Sequence, residues 1–274
     1  MIRPRCVLLV FRKDWLEIRR NRAVLFPLIV VPLIFAVMLP IVAVTPTMPF
    51  QTQVSSQGLL PVLKPFPDQV KGEIAAMSGQ QAIVFFMLLY LFAPVFLIIP
   101  IMASSIIASD SFAGEKERKT IEALLATPLS DSEMLLGKML VSFVLAFIAT
   151  TASFALYSTV TDYLTIGMFG GKMLLPNELW LTLIFLLAPA LAFADIGLTV
   201  LISARVKGVK EAQQISALFL VPLIATVLGQ TSGSMAFDPS LVELMISILG
   251  VSDIMIFVTA VKTFGRNQIL TRLS

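Results

Sequence analysis

Six apolar runs, at about 23–44, 82–108, 134–160, 179–204, 213–230 and 241–263, leave this chain little choice of solvent. A helix needs roughly 18–20 mostly apolar residues to cross the ~30 Å hydrocarbon core of a bilayer. Each run meets that length with few charges. Composition agrees: 57% of the 274 residues are hydrophobic and 14% charged, against about 45–50% and about 25% in soluble domains. The runs predict an all-α membrane protein with six transmembrane helices, forming a single transmembrane domain over 1–274.

Basic residues mark the cytoplasmic side of a membrane protein. Arg3, Arg5, Arg12, Lys13, Arg19, Arg20 and Arg22 precede the first run; Lys116, Arg118, Lys119 and Lys138 lie between the second and third. Arg205, Lys207 and Lys210 follow the fourth run, and Lys262, Arg266 and Arg272 the sixth. Only Lys64, Lys71 and Lys172 fall on the opposite side. The expected topology has both termini in the cytoplasm and the chain in the cell (inner) membrane. The 22-residue charged leader and the long first run fit an uncleaved helix better than a signal peptide, whose apolar stretch is about 7–15 residues.

Within the leader (1–22), Val7, Phe11, Trp15 and Ile18 recur at helical spacing. They predict an interfacial helix with these residues toward lipid and its bases toward headgroups. A plain cytoplasmic leader is the alternative. The first run carries Pro27, Pro32 and Pro40. Pro27, near the start, is tolerable; Pro32 and Pro40 each remove a backbone hydrogen bond and are expected to bend or break the helix. Pro94, Pro100, Pro189 and Pro222 repeat the theme in later runs. Residues 45–80 read as an extracytoplasmic loop with a short helix near Asp68 to Met77.

Residues 109–138, SDSFAGEKERKTIEALLATPLSDSEMLLGK, interrupt the oil with both signs of charge. So polar a run is expected in water or against another protein. Gly114 is read as the break from the second span, Glu115 to Ala126 as a short helix with an apolar face of Ile121, Leu124 and Leu125, and Pro128 as its stop. Ser130 and Glu133 fit a capping box, S-x-x-E, opening the third span. The 109–133 hairpin either docks a partner or packs its three apolar residues on the bundle.

This segment resembles the stretch between spans two and three of type-2 ABC exporter permeases. The likeness rests on Gly114-Glu115, Lys116-Glu117-Arg118, Thr120-Ile121-Glu122-Ala123-Leu124-Leu125, Thr127-Pro128 and Gly137-Lys138. SARVKGVKEAQQIS at 203–216 and KTFGRNQILTRL at 262–273 are similar to the sodium-efflux-like branch. The resemblance implies a permease that pairs with a second copy or homologue and binds cytoplasmic ABC ATPase subunits. Glu115, Lys116, Glu117, Arg118, Thr120, Ile121, Glu122, Leu124 and Leu125 would carry the coupling helix. Arg205, Lys207, Lys210 and Glu211 would form a second contact. ATP and Mg would sit on the ATPase partner, with no cofactor bound by this chain. The sequence has no G-x-x-x-x-G-K-[ST] phosphate loop, so no ATP hydrolysis is expected here.

Two acids lie inside the runs, Asp195 in the fourth and Asp253 in the sixth. An ionised carboxylate at mid-bilayer costs about 2.5–3.5 kcal/mol, which makes such residues functional candidates. They either bind a cation, as pathway residues, or accept hydrogen bonds from Thr199, Ser203 or Ser252 as structural groups. Ser104, Ser105, Ser109, Ser142, Thr150, Thr151 and Ser153 form a polar face that either packs helices or lines a path.

Histidine is absent and Cys6 is the one cysteine, so no disulfide, metal site or catalytic cluster is expected. No nucleic-acid partner is expected. The reading is an ATP-driven exporter's permease subunit for sodium, a drug or a lipid-like solute. An ion-coupled secondary transporter using Asp195 and Asp253 is the alternative.

Overall fold

The computed structural model describes residues 3–45, 61–120, 129–206 and 208–263. Among them all regular structure is helical: α1 (Pro4–Arg20), α2 (Arg22–Val44), α3 (Asp68–Ala75), α4 (Gly79–Glu117), α5 (Asp131–Thr165), α6 (Glu178–Ser203), α7 (Val209–Thr231) and α8 (Pro239–Thr263). Six of these, α2 and α4 to α8, are long and apolar enough to span a membrane. The short helix expected near Asp68 to Met77 is α3.

Helix starts follow local chemistry. Asn21 accepts from the Ala23 amide at 3.1 Å and opens α2. Asn177 accepts from the Trp180 amide at 2.9 Å and opens α6. The capping box predicted at Ser130 and Glu133 is present: Ser130 Oγ accepts from the Glu133 amide at 3.2 Å, and the Ser130 amide donates to Glu133 Oε2 at 3.0 Å. These caps satisfy amides that have no intrahelical acceptor.

Of the six spans α4 is the most buried and α8 the least. Around α4 pack α5, α6, α7 and α2. Two glycines set close contacts. A Cβ on Gly137 would lie 2.6 Å from Val10 Cβ, so α1 presses directly on α5; one on Gly197 would lie 2.3 Å from Ile256 Cγ2, where α6 meets α8.

Prolines bring backbone rearrangement in some spans and not in others. Wide π-helical turns at Met87–Leu91 and Leu183–Leu187 precede Pro94 and Pro189, and a tight 3₁₀ turn at Ala217–Leu220 precedes Pro222. A proline gives no N–H to the carbonyl four residues back, and local re-registering of the ladder absorbs the loss. In α2, however, the helix continues through Pro27, Pro32 and Pro40, so the expected break does not occur.

The carbonyls around the first wide turn find side-chain donors. Tyr157 Oη donates to Leu88 O at 2.9 Å, Trp180 Nε1 to Leu89 O at 3.1 Å, and Gln230 Nε2 to Tyr90 O at 3.2 Å. Pro94 cannot serve the Tyr90 carbonyl, and Gln230 takes that role. Helices α5, α6 and α7 are thereby each fastened to α4 in its apolar half, where no water competes. Around these bonds Trp180 stacks on Tyr157, and Phe96 meets Tyr157 tilted and Trp180 edge-on.

Two further expectations are corrected. The second span does not break at Gly114, which has helical torsions. Helix α4 runs to Glu117 and ends at Lys119, whose φ is 58°. The Thr120 amide bonds Glu115 O at 2.9 Å and the Lys119 amide bonds Lys116 O at 3.2 Å. This is a Schellman closure with lysine at the position glycine usually fills. Residues 109–117 therefore extend the span instead of opening a solvated hairpin. The remainder of the predicted coupling helix, at 121–126, and its expected stop Pro128 lie outside the described residues, as do 46–60 of the expected extracytoplasmic loop.

The second correction concerns α1. Ile18 is buried and Val7, Phe11 and Trp15 half-buried, facing the bundle instead of lipid; Leu8, Leu9 and Leu16 face outward. The bundle, not the bilayer, claims the richer apolar face because Gly137 lets α1 approach α5 closely.

Replacing Tyr157 with Phe leaves the Leu88 carbonyl without its donor. The expected cost is about 1 kcal/mol, as for interhelical hydrogen bonds in membranes. It should appear as earlier thermal unfolding in detergent; an unshifted transition would mean that the bond contributes nothing.

Candidate functional site

The basic ends of the helices meet at one end of the bundle, and charge is buried there. Residues Phe11, Asp14, Trp15 and Ile18 share one face of α1 at i, i+3, i+4, i+7 spacing. That face turns inward and carries Asp14 with it. Opposite, α4 presents Asp110, Ser111 and Glu115, and α5 presents Lys138 two turns past its cap.

Lys138 is 1% exposed. Its Nζ lies 3.1 Å from Asp14 Oδ2 and 2.8 Å from Glu115 Oε1. It also donates to Ser111 O at 3.0 Å, and Ser111 Oγ donates to Asp14 Oδ2 at 2.7 Å. The ring of Phe112 lies 5.6 Å from the ammonium. One lysine thus joins three helices.

The network extends outward. Lys13 pairs with Asp14 at 3.1 Å, with Glu17 at 3.2 Å and also with Glu115. Arg118 bridges Glu17 and Asp110, each at 3.1 Å, and Asn21 Nδ2 donates to Asp110 at 3.3 Å. The carboxylates of Asp14, Glu17 and Glu115 offer oxygens within 4.8 Å of one another, spacing that suits a cation. The ammonium of Lys13 already contacts all three. Burial pushes the Asp14 carboxyl up, but Lys138, Lys13 and the Ser111 hydroxyl together hold it below the usual carboxylate range. Burial lowers Lys13, yet the hydrogen bond and charge of Glu115 with the charge of Asp14 raise it above the ordinary lysine value. Both groups therefore stay charged near neutral pH. At the start of α5, Arg3 grips the capping Glu133 through its amide at 2.8 Å and Nε at 2.9 Å, tying the start of α1 to the same end.

Beside the cluster, α4 meets the α6–α7 turn. Lys116 Nζ donates to Val206 O at 2.9 Å, and the Val209 amide donates to Glu117 Oε2 at 3.0 Å. The predicted docking residues divide accordingly. Glu115 is buried and Lys116 half-buried, whereas Glu117, Arg118, Lys119, Thr120, Arg205, Lys210 and Glu211 are exposed at this end. Ile121, Glu122, Leu124, Leu125 and Lys207 lie outside the described residues. Sequence reasoning missed Asp14, Glu17, Asp110 and Lys138. The signal was there for Asp14: an acid among Phe11, Trp15 and Ile18 requires a buried partner.

The intramembrane acids lie apart from this cluster, and no hydrogen bond joins them to each other. Asp195 is fully buried; Ser104 Oγ donates to its Oδ2 at 2.6 Å, and its Oδ1 has no hydrogen-bond partner among the described residues. Asp253 is half-buried, and its Oδ1 likewise has none. The expected donors serve elsewhere: Thr199 pairs with Ser216 at 2.8 Å, and Ser252 donates to Ile248 O at 2.9 Å. Ser203 Oγ has no partner among the described residues. In α5, Ser142, Thr150, Thr151 and Ser153 bond back to their own helix, which suits packing more than a path.

Removing one member of a buried ion pair strands the other, at about 3–5 kcal/mol. Lys138→Met should lower stability by that order, read by thermal unfolding in detergent. Adding Glu115→Gln should recover part of the loss, because fewer stranded charges remain. A single variant as stable as the parent would overturn the cornerstone role of Lys138.

The family described as ABC-2 family transporter protein matches residues 8–267 of this chain. A protein described as ABC transporter permease protein NatB, from Bacillus subtilis (strain 168), is 41% identical over 80 residues. That stretch is 29% of this chain and 19% of the relative, so the chain aligns with about a fifth of the relative's length.

Proposed function

The chain belongs to the ABC-2 family of transporter proteins, and from that premise we propose that it couples ATP hydrolysis on a separate ATPase subunit to efflux of a solute. As a member with six membrane-length helices it is a multi-pass cell-membrane protein, the membrane subunit of an ABC transporter. ABC ATPase subunits are its partners by family. Finer points belong to the proposal: a homo- or heterodimer of permeases, both termini in the cytoplasm, and ATP with Mg held by the ATPase.

The observation that carries the proposal is the Lys138 network. It binds α1, the end of α4 and the start of α5 into one block, with exposed Glu117 to Thr120 on its surface and Arg205, Lys210 and Glu211 alongside. A force on residues 115–125 would reach the membrane helices through buried ion pairs instead of being lost in a slack loop. On this reading Glu115 anchors the elbow from within, and the exposed residues touch the ATPase.

Substituting Ile121, Leu124 and Leu125 with Asp should release the co-purifying ATPase while the membrane domain stays folded. Retention of the ATPase in equal amount would sink the docking role.

A second reading draws on the unpartnered Asp195 Oδ1: transport coupled to a cation or proton at that acid. Asp195→Asn and Asp253→Asn should then abolish ion-dependent stimulation of ATP hydrolysis in the assembled transporter. Stimulation equal to the parent's would retire it. Sodium remains one solute among drugs and lipid-like molecules; the relative named NatB supports the ABC permease role alone.

A further inference from the structure

A groove of about 310 Å³ runs between α2 and α5. Its walls are Leu28, Pro32, Leu33, Leu145, Ala149 and Leu156. The one hydroxyl among its lining residues, Ser153, is turned back to the Ala149 carbonyl at 2.6 Å. From Leu145 to Leu156 the groove follows α5 for about 16 Å at 1.5 Å per residue. That matches one leaflet of a hydrocarbon core ~30 Å thick. A bundle in a bilayer leaves no such groove empty; lipid or protein fills it.

The charges at its mouth select between them. Arg22 stands six residues before Leu28, about 9 Å along α2. Arg12, Arg19, Arg20 and Arg22 are all exposed, and none has an ion pair or hydrogen bond among the described residues. This contrasts with Lys13, Arg118 and Lys138, which are all paired. On α1 the exposed Leu8, Leu9 and Leu16 share the outward face with Arg5, Arg12, Arg19 and Arg20. Leucines and arginines on one face suit the boundary where acyl chains meet phosphates: the leucines enter the chains and the guanidiniums reach the headgroups.

We propose that the α2–α5 groove and the arginines of α1 and the start of α2 form a binding site for one anionic phospholipid. An acyl chain fills the groove, and the phosphate lies against Arg19, Arg20 and Arg22. The site is separate from the Lys138 network and does not depend on the ATPase reading. The lipid would act as a wedge between α2 and α5, the helix to which α1 and α4 are locked.

The test uses the full chain with its co-purifying subunits, in bilayers of equal phosphatidylglycerol and phosphatidylcholine. Native mass spectrometry in mild detergent then counts retained lipid. The parent should retain phosphatidylglycerol preferentially. Arg19→Gln, Arg20→Gln and Arg22→Gln together should reduce that preference by on the order of a hundredfold. Ala149→Phe should reduce retention of both lipids about fivefold by filling the groove. The milder Ala149→Leu should reduce it in the same direction if Phe prevents folding. Equal retention of the two lipids by the parent, or a preference that survives the arginine changes, overturns the proposal. So does a groove variant that keeps its lipid but loses its dimer, because the groove would then belong to protein.

Discussion

Lys138 carries a positive charge into the buried end of the bundle and is held there by Asp14 and Glu115. Desolvating an ion costs several kcal/mol, recovered only when its partners are fixed at contact distance. The partners come from α1 and α4, so the lysine on α5 is stable only while all three helices keep their places. Ser111 and the ring of Phe112 complete its surroundings. Lys13 and Arg118 carry the pairing to the surface, and Arg3 repeats it at the first turn of α5. The end of the bundle that would meet a partner is therefore a block held by charge.

The apolar half of α4 is governed by the complementary constraint. A membrane interior has no water to complete a disturbed backbone, so each freed carbonyl needs a donor from the protein. The wide turn at Met87–Leu91 meets that demand with Tyr157, Trp180 and Gln230, one from each of three helices. Helix α4 is thus anchored by ion pairs at one end and by hydrogen bonds toward the other. The stretch between holds Ser104 and its bond to the buried Asp195. Irregular turns near prolines are common places for a helix to flex, and here the turn is stabilised by three separate neighbours. Motion of α4 there would require several bonds to exchange together.

Much of the architecture was legible because the bilayer simplifies the reading. Apolar length alone located the six spans, and the S-x-x-E pattern located the start of α5. The motif at 114–138 and the profile of the whole chain point to the same family. Reading failed where two helices compete for one face or one break. Gly114 reads as a break because glycine permits one, yet its neighbours Asp110, Ser111 and Glu115 are held by α1 and α5, so the helix continues to Glu117. The spacing of Val7, Phe11, Trp15 and Ile18 points to lipid, since periodicity identifies an apolar face but not what covers it. Thr199, Ser203 and Ser252 are the donors that sequence proximity suggests for the acids; Ser104, 91 residues from Asp195, is the donor to that acid.

By itself the sequence determined how many times the chain can cross a membrane, where charge collects and which family's motif it carries, because these depend on local composition and length. Which charges pair, which face of α1 meets protein, and where α4 ends were decided by tertiary structure. Those outcomes rest on desolvation and close approach between distant segments, and the Lys138 ammonium has no partner until Asp14 and Glu115 are brought to it from 124 and 23 residues away.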